Sequence, residues 1–70
     1  MTIEEQITEI ENLIEEYENT NNPEERMDLR QTSIKKIKSL RLQIPEFHLD
    51  KEELETTIDL LDEFEEVLSY

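Results

Sequence analysis

None of the 70 residues is glycine, and that absence restricts the fold more than any motif present. Glycine enters the left-handed backbone region without steric cost, and it is the residue that most often ends a helix. Here Asn and Pro must punctuate the chain instead. The same absence removes phosphate-cradling loops of the P-loop or dinucleotide type. It also removes the EF-hand calcium loop, whose sharp turn needs glycine. Alanine is missing as well, so helices are expected to pack through large side chains.

Two prolines, Pro23 and Pro45, divide the chain into three stretches with helical spacing. In the first, Ile3, Ile7, Ile10, Ile14 and Tyr17 recur on one face with Leu13, after Thr2 as N-cap and Glu5 at capping-box spacing. The pattern stops at Asn19–Pro23, where Asn19 or Asn21 is expected to turn left-handed. Asn22 then caps a second helix, with Pro23 in its first position and Glu25 three residues after the cap. Pro45 disfavours helical geometry at Ile44 and is expected to stop that helix. Asp50 followed by Glu53 forms a third capping box, and Leu49 and Leu54 have hydrophobic-staple spacing. The predicted helices cover about 3–19, 23–43 and 51–69. No period-two alternation argues for strands.

One all-α domain follows over 1–70. Short connections make neighbouring helices antiparallel, so the expected fold is a small antiparallel three-helix bundle. The alternative is a long helical hairpin with the first helix loosely packed, completed by dimerisation. A chain this short is marginal as a lone monomer, which favours a homodimer. No cysteine is present, so neither disulfides nor thiolate metal sites arise. No apolar run reaches membrane-span length and no signal-peptide pattern precedes the first helix; the expected location is cytoplasmic. Heavy use of Ile, Glu, Asn and Lys suits an AT-rich genome, such as that of a low-GC bacterium or its phage.

Charge is the most specific feature. The net charge is −13, unevenly spread. The first helix carries Glu4, Glu5, Glu9, Glu11, Glu15, Glu16 and Glu18 and no base. The third carries eight acids after Asp50 against Lys51 alone. The middle helix holds Arg26, Arg30, Lys35, Lys36, Lys38 and Arg41. A basic helix between two acidic ones selects the correct neighbours within the bundle. On the helical wheel Arg26, Arg30 and Arg41 fall inside the apolar arc formed by Met27, Leu29, Ile34, Ile37, Leu40 and Ile44. In the third helix that arc is Leu54, Ile58, Leu60, Leu61, Phe64, Val67 and Leu68. A reversal near Phe47 would set Arg41 against Glu53 and Arg30 against Glu65 or its neighbours. The competing reading has the arginine stems covering the core edge while their heads reach water.

These arcs are wider than that of the first helix, and Leu42, Phe47 and Leu49 lie outside or between them. They form a candidate apolar strip for self-association or a partner, unless Phe47 and Leu49 fold back to close one end. His48 has no second His or Cys to complete a typical metal site and no nucleophile beside it, so it reads as a loop residue. Di-metal Glu-x-x-His motifs are absent. No cofactor, metal or catalytic residue is expected, and phosphates would be repelled by this surface, so direct nucleic-acid binding and membrane association are not expected either. The expected function is a small non-enzymatic acidic interaction module that binds and modulates or inhibits a basic protein. Phage-encoded inhibitors and bacteriocin immunity proteins fill such roles, though no motif assigns the chain to them. Its recognition faces would be Glu4, Glu11, Glu15 and Glu18 on the first helix and Glu55, Asp59, Asp62 and Glu66 on the third. The alternative is a self-associating assembly, scaffold or chaperone-type subunit. A halophile-style surface fits less well, because Glu far outnumbers Asp.

Overall fold

The computed structural model describes residues 2–69. They form a small all-α bundle: α1 (Ile3–Asn19), α2 (Pro23–Gln43) and α3 (Lys51–Leu68), with a short 3₁₀ turn at Ile44–Phe47 between the last two. Each α-helix begins at the cap its sequence specifies. Thr2 Oγ1 accepts from the Glu5 N–H at 3.2 Å, and Asp50 Oδ1 accepts from the Glu53 N–H at 2.8 Å. Asn22 Oδ1 accepts from both Glu24 and Glu25, at 3.0 and 3.4 Å. These bonds satisfy N–H groups that the first helical turn leaves without partners.

The core is built from Ile10, Ile14 and Tyr17 of α1, Ile37, Leu40 and Ile44 around α2, and Leu61 and Leu68 of α3. Ile3, Ile7, Leu29, Ile34, Phe47, Leu54, Phe64 and Val67 pack against it half-buried. α1 lies along α2 for its whole length, as shown by Gln6 on Gln43, Glu9 on Lys36 and Tyr17 beneath Arg26. The first helix is thus firmly packed, unlike in the hairpin alternative.

Packing is not through large side chains alone. Ser33 is fully buried, and its hydroxyl donates to the Leu29 carbonyl at 2.7 Å. In a chain without Gly or Ala it is the small residue that fits a crowded helix contact, its polarity absorbed by its own helix. Thr57 is also buried, in α3. Met27, inside the expected apolar arc, is instead 62% exposed. It sits in the first turns of α2, where α3 is reaching its end. Ile58, also inside its expected arc, stands at the exposed edge of α3.

Two expectations about the turns are corrected. α1 ends in Thr20 with extended backbone, its N–H donating to the Glu16 carbonyl at 2.9 Å; neither Asn19 nor Asn21 turns left-handed. Among the described residues only His48 has positive φ, at 53°. Nor does Pro45 expel Ile44 from helical geometry, since Ile44 keeps φ −49° and ψ −46°. Proline lacks the N–H that an α-helix would use, so α2 does end at Gln43, as expected, and the chain tightens into a 3₁₀ turn over Ile44–Phe47. Burying Ile44 in the core outweighs the preference against its conformation. The reversal therefore falls at His48, one turn beyond the end of α2.

Candidate functional site

Three helices meet along three seams, and polar latches distinguish them. Across α1 and α2, Lys36 is salt-bridged to Glu9, Gln6 Nε2 donates to Gln43 Oε1 at 3.1 Å, and the Arg26 guanidinium lies 4.4 Å from the Tyr17 ring centroid. Across α2 and α3, Arg41 Nη2 donates to Asp62 at 2.7 Å and its Nε to Glu65 at 3.0 Å, and Arg30 Nε donates to the Leu68 carbonyl at 2.6 Å. The two carboxylates hold the Arg41 pKa above its ordinary value, chiefly through the Asp62 hydrogen bond and then that from Glu65.

These pairings correct the expected register. Arg41 does not meet Glu53, because the 3₁₀ turn lengthens the connection and carries the pairing up α3 to Asp62 and Glu65. Arg30 does reach the end of α3, but at a carbonyl. A cation there complements the negative end of the helix. Each arginine head thus bonds α3 while part of the side chain stays exposed.

The third seam, between α1 and α3, is different. The start of α1 lies beside the start of α3, and the end of α1 lies beside Phe64, so the two helices run in the same direction. Among the described residues no ion pair crosses it. Near the helix starts both flanks are acidic, and near the end of α1 the acids of α1 face Phe64, so neither stretch offers a base to pair with. Two depressions lie in line along it. One, of about 500 Å³, has Ile3, Ile7, Leu49, Thr57 and Leu60 in its lining and Glu4, Asp50, Glu52 and Glu53 around them. The other, of about 340 Å³, sets Ile14 and Phe64 among Glu11, Glu15 and Glu18. No Lys, Arg or His lines either.

All eight nominated acids are exposed, but they do not form one surface. Glu4, Glu11, Glu15 and Glu18 wall the α1–α3 groove. Asp62 faces Arg41 across the α2–α3 seam, and Glu55, Asp59 and Glu66 share its stripe by helical spacing. The α3 acids that do face α1 are Asp50, Glu52 and Glu53, which were not nominated. The bases of α2 do not point to them, because the register expected from the sequence sets Glu53 against Arg41, and Glu53 instead lines the groove. Of the apolar candidates, Leu42 is 81% exposed, Phe47 packs half-buried against the core, and half-buried Leu49 contributes to the groove. Among the described residues no helix is long and apolar enough to cross a membrane. Comparison with known proteins gives no matching family model, no matching curated protein and no matching solved structure.

Proposed function

We propose that this chain is a small, non-enzymatic acidic interaction module that binds a basic protein and thereby modulates or inhibits it. One observation supports this most: four of the seven Lys and Arg residues are held inside the bundle, against only a few of the twenty acids. Arg26, Arg30, Lys36 and Arg41 are held against neighbouring helices, while the α1 flank carrying Glu4, Glu11, Glu15 and Glu18 stays exposed and without a base. Such a field attracts basic surfaces and speeds their encounter. Self-assembly through an apolar strip has less behind it. Among the described residues the two most exposed large apolar side chains, Leu42 and Met27, stand fifteen residues apart on α2, about 22 Å along its axis, and isolated exposed apolar residues are ordinary.

The test is capture from an extract of the source cells on immobilised protein, beside a variant with Glu4, Glu11, Glu15 and Glu18 changed to Gln. The expected result is a basic protein retained by the parent, released by moderate salt, and retained several-fold less by the variant. The exposed substitutions should leave the fold intact. Capture indifferent to both salt and the variant, but lost on Leu42→Ser, would favour the assembly reading instead.

A further inference from the structure

We infer that the α1–α3 groove is the docking site for a single amphipathic basic helix of the partner, laid lengthwise so that it forms the fourth helix of the bundle. The inference rests on the proposed function and assigns it a place and a ligand form. The groove has what such a helix needs and what a flat acidic surface lacks. Half-buried Ile3, Ile7, Leu60 and Phe64 still show apolar surface along its floor. They recur every three or four residues on their helices, the spacing at which a fourth helix would present its own apolar stripe.

Length and charge narrow the occupant further. From Ile3 to Glu18 the groove follows about 22 Å of helix, which corresponds to a partner helix of about fifteen residues. Acids line both depressions and no base does. Lys or Arg on the flanks of an incoming helix would meet Glu4 on one side and Asp50, Glu52 and Glu53 on the other at the first depression, and Glu11, Glu15 and Glu18 of α1 at the second, relieving repulsion that no base among the described lining residues neutralises. A second copy of the chain fits poorly. Its α1 and α3 repeat the same charge, and four bases of its α2 are already engaged.

The experiment uses the full chain and two synthetic peptides, each of fifteen residues, end-capped and identical in composition. In one, Leu and Lys are arranged as an amphipathic helix; in the other they are scrambled. Affinity is read by calorimetry and location by amide chemical shifts. The amphipathic peptide should bind at least about tenfold tighter, a difference of about 1.4 kcal/mol, and should shift amides of Ile3–Glu18 and Leu49–Phe64. Glu11→Arg with Glu15→Arg should weaken it about tenfold, whereas Glu55→Arg with Glu66→Arg, on the other flank of α3, should change it less than twofold. Circular dichroism of both variants reports that they are folded.

If the two peptides bind equally and both variant pairs weaken them equally, the acid acts as a diffuse surface; the groove is then refuted while the proposed function stands. If neither peptide binds even at low salt, both readings fail. If sedimentation shows a dimer that Glu11→Arg with Glu15→Arg strengthens, the groove belongs to a second copy and the inference is overturned.

Discussion

His48 occupies the left-handed position that glycine takes at many helix ends. With φ at 53° and ψ at 44° it is in the left-handed region, where a side chain crowds the following carbonyl at a cost of about 1–2 kcal/mol. Histidine is among the residues that tolerate the region better than most. The stretch Ile44–Asp50 is therefore a hinge: Ile44 and Phe47 anchor it to the core, His48 reverses it and Asp50 starts α3. Replacing His48 with Gly should stabilise the fold by about 0.5–1 kcal/mol, and His48→Val should destabilise it by at least as much. Urea denaturation midpoints measure both. A lower midpoint for His48→Gly would mean that the imidazole makes a contribution its backbone geometry does not account for.

At the scale of elements, Arg41 is the main latch between α2 and α3. Its side chain is about one-third exposed and both carboxylates it meets are more so, so each bond carries the modest weight of a surface pair. Arg41→Gln should cost about 1 kcal/mol at low salt, with the difference shrinking as salt rises. Because the Arg41 pKa is raised, the guanidinium's share of this stability is fully present below its ordinary value and is lost only as pH climbs through the raised one, in strong alkali. Comparing Arg41→Gln with its parent by thermal melting between pH 6 and pH 9 should give a constant gap; a gap that closes in that window would contradict the assignment. The ends of the helices were legible in the sequence because Thr2, Asn22 and Asp50 act within three residues of themselves. The partner of Arg41 was not, because it depends on where a turn reverses, and that was decided by the burial of Ile44. The α3 wall of the groove was hidden for a related reason. Helical spacing orders Glu52, Glu53, Glu55 and Asp59 around an axis, but only the arrangement of three helices says which flank meets α1.

For the molecule as a whole, repulsion among unneutralised acids should outweigh the few latches. The screening length falls from about 30 Å at 10 mM salt to about 10 Å at 0.1 M, which weakens the long-range repulsion more than the short pairs. Thermal midpoints at pH 7 should rise between 10 mM and 0.5 M NaCl by several degrees, roughly 4–8 °C for each kcal/mol relieved. A falling midpoint would show that the pairs dominate. The shared direction of α1 and α3 has one more consequence, and it is rotational. Both helices finish at the same end, where neither has a base in its last turn and where Glu15, Glu16, Glu18 and Glu66, with Glu24 and Glu25 at the start of α2, outnumber Arg26 and Arg30 and add to two negative helix ends. At the opposite end Lys35, Lys36, Lys38 and Lys51 offset part of the acid that Glu4, Asp50, Glu52 and Glu53 bring, so that end is less negative. The molecule is thus an electric dipole lying along a body 40 Å long. A nearby cation exerts a torque on it, turning the acidic pole forward before any surfaces touch.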